Sequence, residues 1–216
     1  MKANLKVPNK LSEITLGQYQ KYLKIQENND DPYFLQCKLI EIFCNLDGKT
    51  VRLMKVGDVT RISNIINNMF DKQSNLIRNF TMNGTDYGFI PDLENMTFGE
   101  YIDLDSYIND WSNMHVAMNV LYRPIKSQVG EKYLIEDYKT DTKNNMLDMP
   151  MNVVLGSISF FFRLGLDLSK AMTNYLDKNQ KQDLTDYLSS IGNGDGINQF
   201  MHSLEEILQN SKISLN

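Results

Sequence analysis

The chain has little of several things that fix function by inspection. It has two cysteines, Cys37 and Cys44. If they share a helix they lie two turns apart, roughly 10 Å of rise, which is beyond the reach of a disulfide. They read as small buried residues, and with no CxxC a structural zinc site has no support. There are only two histidines, His115 and His202. Neither has a second metal-type ligand at helical or hairpin spacing, so both read as packing or surface residues. No GxSxG elbow occurs, and neither cysteine has a histidine nearby in sequence, so nothing recommends nucleophilic catalysis. No stretch approaches the roughly 20 apolar residues of a membrane span. The best candidate, Met149–Leu168, is interrupted by Pro150, Asn152, Gly156, Arg163, Gly165 and Asp167. Residues 1–8 carry no apolar run of signal-peptide length, so export by a cleaved signal is not expected. Basic residues are scattered and the net charge is −5, which argues against general nucleic-acid binding.

What is present is helix-forming pattern. Hydrophobic residues make up 42% and charged residues 23%, as in ordinary globular proteins. One phrase occurs twice: Leu11-Ser12-Glu13-Ile14-Thr15-Leu16-Gly17-Gln18-Tyr19 returns as Leu93-Glu94-Asn95-Met96-Thr97-Phe98-Gly99-Glu100-Tyr101. Each copy reads as a helix start. Thr15 or Thr97 caps the first free N–H groups, and Gln18 or Glu100 reaches back to the cap. Ile14 with Tyr19, and Met96 with Tyr101, have hydrophobic-staple spacing. Two copies are too few for a solenoid, so a pseudo-repeat and convergence on a good cap both stay open.

Apolar periodicity predicts helices over 33–46, 59–70 with Asp58 as cap, 98–109, 112–123 ending at Arg123-Pro124, and 151–164. The last is apolar on nearly every face, with Gly165 as its stop. Further helices are expected near 168–177, 180–191 and 197–210. Asn83-Gly84 predicts a hairpin within 78–90, and 132–138 reads as a short strand beside it. The stretch 139–145 reads as a loop and 210–216 as a fraying tail. The expected fold is therefore mainly α: one compact multi-helix domain over 1–216 with at most a small hairpin.

Three further clusters bear on function. The acids Glu100, Asp103, Asp105 and Asp110, and Glu205-Glu206, suit a helix start and solvated faces better than paired-carboxylate chemistry. Gly192-Asn193-Gly194-Asp195-Gly196 lacks the ligand pattern of a calcium loop and the Lys-Ser/Thr of a phosphate loop, and reads as a turn. Tyr122-Arg123-Pro124-Ile125 reads either as a subunit-contact anchor or as a charge complementing a helix end. With 12 methionines and Phe160-Phe161-Phe162, the chain leans towards docking on other proteins. Candidate interaction residues are Tyr122, Arg123, Phe160, Phe161 and Phe162. Thr15, Gln18, Thr97 and Glu100 are structural caps.

The strings 11–22, Tyr87-Gly88-Phe89-Ile90-Pro91, Met96–Leu104, Leu121–Ile125 and Met149–Gly156 resemble small proteins of tailed phages of Bacteroidota, the crAss-like phages above all. Richness in Asn, Lys, Ile and Tyr suits an AT-rich phage genome. The resemblance implies a non-enzymatic virion or assembly protein without cofactor, metal or catalytic residues. It implies location in the virion, reached through the host cytoplasm, and partners among portal, tail or capsid proteins in a symmetric oligomer. Three roles compete: ring or adaptor subunit at the portal–tail junction, cargo ejected with the genome, and tail assembly chaperone absent from the particle. A small phage enzyme is the rival of another class, and a deep pocket gathering His115 with two carboxylates would favour it.

Overall fold

The computed structural model describes residues 5–139 and 145–178. A 3-10 turn at Leu11–Glu13 leads into α1 (Leu16–Gln26), α2 (Pro32–Phe43), α3 (Gly48–Arg52) and α4 (Val56–Phe70). A hairpin follows, β1 (Asn79–Met82) and β2 (Thr85–Phe89). Then come α5 (Phe98–Tyr107), α6 (Met114–Leu121), β3 (Tyr122–Val129) and β4 (Lys132–Ile135). A second 3-10 turn, Asn145–Asp148, precedes α7 (Met151–Lys178).

The sheet corrects the expectation of a mainly α chain. It has four antiparallel strands in the order β1-β2-β3-β4, so the described residues form a mixed α/β fold, although helix still predominates. The unpredicted strand is β3. Proline after a helical pattern predicts a helix end at Arg123-Pro124, and α6 stops slightly earlier, at Leu121. The chain then continues directly as strand, because the residue before a proline prefers extended backbone. Pro124 lies opposite Tyr87 inside the sheet. It has no N–H to give, but its carbonyl accepts the Glu136 N–H at 2.9 Å. The 132–138 strand is shorter than expected and pairs with β3, not with the hairpin edge.

The hairpin turn is as its sequence requires. Asn83 (φ 51°) and Gly84 (φ 77°) are both left-handed, the conformation of a two-residue turn matching strand twist. Gly88 in β2 has a different purpose. A Cβ there would lie 2.4 Å from the ring of Tyr133, whose hydroxyl donates to the Phe89 carbonyl at 2.6 Å. The absent side chain is the space that ring occupies.

Helix boundaries follow local chemistry. Asp31 caps α2 through the N–H groups of Tyr33 and Phe34, with Pro32 in the first turn. Asp58 does not cap α4: the cap position is Lys55, without a side-chain bond, and Asp58 pairs with Arg61 in the first turn. Gly165 does not stop α7, which runs unbroken to Lys178 and absorbs the whole helix expected at 168–177. A lone glycine costs a helix about 1 kcal/mol, too little by itself to end one. The helices expected at 180–191 and 197–210, the glycine turn at 192–196, His202 and Glu205-Glu206 lie outside the described residues.

The core joins the helices to the sheet through aromatic rings. Tyr19 of α1 stacks on Phe70 of α4 with centroids 5.3 Å apart and meets Trp111 edge-on at 4.8 Å. Tyr22 packs on Phe43 at 5.6 Å. From the sheet, Tyr122 meets Phe80 and Phe89, and Phe89 meets Phe160 and Phe161 of α7. Cys44 is buried, Cys37 half-buried, and both are free thiols. Burial pushes the Cys44 thiol up to about 11, so it stays protonated and acts as a small apolar residue.

Segment 70–78 crosses α7 closely enough to require a glycine. A Cβ on Gly156 would lie 2.3 Å from the Asn75 carbonyl oxygen. Because backbone cannot yield as a side chain can, Gly156→Ala is expected to destabilise the fold by about 3 kcal/mol, read as a lower urea midpoint.

Candidate functional site

Both copies of the repeated phrase form the reciprocal cap their spacing implies. In the first, Thr15 Oγ1 accepts the Gln18 N–H at 3.2 Å, and Gln18 Oε1 accepts the Thr15 N–H at 3.0 Å. In the second, Thr97 Oγ1 accepts the Glu100 N–H at 3.3 Å, and Glu100 Oε2 accepts the Thr97 N–H at 2.6 Å.

The two copies differ in what the other end of that third-position side chain meets. Gln18 has an amide nitrogen left over, and it donates to the Ile42 carbonyl (2.9 Å) and Asn45 Oδ1 (3.3 Å) at the end of α2. Glu100 has a carboxylate oxygen left over, and it receives Arg123 Nη1 at 2.6 Å. Thus one side chain helps to start α5 and also ties it to the first residues of β3.

The Glu100–Arg123 pair is nearly dry, its side chains 5% and 11% exposed. Tyr122, the preceding residue, is fully buried. Its hydroxyl donates to the Ile77 carbonyl at 2.7 Å and lies 2.9 Å from the Ser157 hydroxyl of α7. Burial pushes that phenol well above its usual range, so it remains a neutral donor. Tyr122 and Arg123 are therefore internal clamps. Both residues directly follow the last turn of α6, and they start a strand in which Arg123 meets Glu100 of α5 and Tyr122 meets Ser157 of α7.

The three phenylalanines of α7 are also largely used inside. Phe161 is buried and Phe160 half-buried, in mutual contact at 5.3 Å. Phe162 lines a groove of about 470 Å³ with Phe70, Leu155, Leu166, Lys72 and Arg163. His115 is not among the residues lining it.

The remaining polar candidates serve local structure. Gln20 Nε2 lies 3.2 Å from His115 Nδ1 and donates to the Trp111 carbonyl at 2.7 Å. Desolvation lowers the His115 pKa and outweighs the opposing pull of Asp110. Asp103 accepts the Tyr138 hydroxyl at 2.5 Å, and Asp110 accepts the Ser112 N–H and the Asn113 amide. Among the described residues no group of three His, Cys, Asp or Glu is placed to hold a metal, and no helix is long and apolar enough to cross a membrane.

The sequence reading missed the apolar surface around the second copy. Phe98 is 79%, Tyr101 59% and Ile102 43% exposed. Their counterparts Leu16 and Tyr19 are fully buried. The repeat itself was the available signal, because like residues at like positions invite a comparison of their surroundings. It also corrects the second staple: Tyr101 stands out in solvent while Met96 is half-buried.

No protein-family model, no curated protein and no solved structure matches this chain.

Two outcomes follow from the site. Glu100→Gln keeps an acceptor for the cap but strands the Arg123 charge, and is expected to cost about 3 kcal/mol in urea unfolding; adding Arg123→Met is expected to recover part of that loss. His115 is held neutral in the fold while the unfolded chain titrates near its ordinary 6.5. Its contribution is therefore complete above that value and declines as pH falls towards the lowered folded pKa. Unfolding curves from pH 7.5 to 5 should show this decline, and His115→Gln should flatten it.

Proposed function

We propose that this protein is a non-enzymatic structural component of a tailed phage of Bacteroidota, located in the virion near the portal–tail junction as a ring or adaptor subunit or as cargo. The observation that carries the reading is the exposed apolar surface. Besides Phe98, Tyr101 and Ile102, the β3–β4 hairpin exposes Val129 and Leu134, and α7 exposes Leu164 and Leu166. Several such sites on one small chain suit a subunit held by neighbours. The resemblance of the segments at 11–22, 87–91, 96–104, 121–125 and 149–156 to crAss-like phage proteins supplies the context. The polar groups of those segments agree with it, being spent on caps, an ion pair and strand bonds. Portal, tail or capsid proteins are the proposed partners, in a symmetric assembly.

Mass spectrometry of purified particles tests this. Detection in near-stoichiometric ratio to portal or tail proteins is the expected result. Presence in infected cells with absence from particles would eliminate the ring and cargo roles and leave the assembly chaperone.

A further inference from the structure

The two copies of the repeated phrase share their cap and their glycine, but among the described residues only the first is covered by another backbone segment. At the first copy, Met149–Met151 runs antiparallel to Ile14–Leu16. The Leu16 N–H donates to the Met149 carbonyl at 2.8 Å, and the Met151 N–H donates to the Ile14 carbonyl at 2.9 Å. Thr15 and Pro150 face one another across this bridge. Gly17 admits the approach: a Cβ there would lie 3.0 Å from the Leu147 carbonyl oxygen and 3.3 Å from the Leu147 Cβ. Glycine in this first turn lets a second backbone lie against the helix.

The second copy keeps the glycine without the backbone. Nothing lies within 4 Å of where a Cβ on Gly99 would be. Phe98 and Tyr101, which replace the buried Leu16 and Tyr19, face solvent. Among the described residues no backbone group pairs with the Phe98 N–H or the Met96 carbonyl. Gly99 thus gives up helix propensity with no return among the described residues.

Charge narrows the occupant. Residues 91–111 contain Asp92, Glu94, Glu100, Asp103, Asp105 and Asp110 and no Lys or Arg. Only Glu100 is in an ion pair among the described residues. A second copy of this chain fits poorly. Its own matching segment is committed to Ile14–Leu16, carries Asp148, and belongs to a chain of net charge −5.

We propose that Met96–Ile102 is a docking site for an extended segment of a different protein, apolar and proline-bearing like Met149-Pro150-Met151 but flanked by Lys or Arg. The segment lays its backbone over Gly99 and covers Phe98 and Tyr101, as strand-type recognition does elsewhere. The inference rests on the internal comparison and not on the virion assignment, so either can fail alone.

The test uses the full-length chain, isotope-labelled, and a synthetic peptide copying residues 146–152 with Asp148→Lys and Asn152→Lys. The expected result is amide shifts centred on 96–102, with a dissociation constant below about 1 mM. Binding should weaken several-fold between about 50 and 200 mM salt. Gly99→Ala should weaken it by about tenfold or more while the melting temperature holds or rises, because the free chain leaves that space empty. No shifts, shifts centred on 14–17, or unchanged affinity in Gly99→Ala would overturn the proposal. So would concentration-dependent self-association of the free chain that Gly99→Ala abolishes, since the occupant would then be a second copy.

Discussion

A helix cannot begin without dealing with N–H groups that its own geometry leaves unpaired, and the rest of this fold is arranged around how α1 and α5 begin. In both, a threonine and the residue three places on satisfy each other's backbone. The solution does more than cap, because the third-position side chain has a polar atom to spare. A glutamine can give a proton, so Gln18 ends on a carbonyl of α2. A glutamate can only accept, so Glu100 needs a cation and finds Arg123. The difference between the copies at that position thus decides which element each helix start is fastened to.

The Arg123 end of that bond organises the sheet. Arg123 sits between Tyr122, which the core holds by rings and a hydroxyl, and Pro124, which keeps the backbone extended. A buried ion pair adds little net stability by itself, because both charges lose their water. Its effect here is specificity: a misplaced α5 would leave an arginine buried with no carboxylate. The same logic explains why residues suited to an interface by type, an arginine beside a tyrosine, are spent inside.

The two helix starts also show how one local pattern acquires different surroundings. Around α1 the chain returns, through 146–151, to cover the glycine and the apolar side chains. Around α5 no described segment does, and Asp92, Glu94 and Asp105 face solvent near the exposed rings of Phe98 and Tyr101. Burial of Leu16 and exposure of Phe98 are not properties of the phrase. They depend on whether a second backbone arrives.

What could be read from residue order was local. The caps, the Asn83-Gly84 turn, the apolar faces of α2, α4 and α7 and the spacing of the free thiols each depend on neighbours within a few positions, where stereochemistry acts alone. β3 could not be read, because Pro124 signals a helix end as strongly as a strand, and only pairing with β2 and β4 decides between them. Asp58 and Gly165 misled for a related reason: cap and stop propensities amount to about 1 kcal/mol, too little to fix a helix boundary alone. Sequence alone determined the reciprocal caps of α1 and α5 and the Asn83-Gly84 turn, since those events need only nearby atoms. The tertiary structure decided the sheet, the partner of Arg123 and which copy of the repeated phrase lies open, since each requires residues far apart in the chain to meet and lose water together.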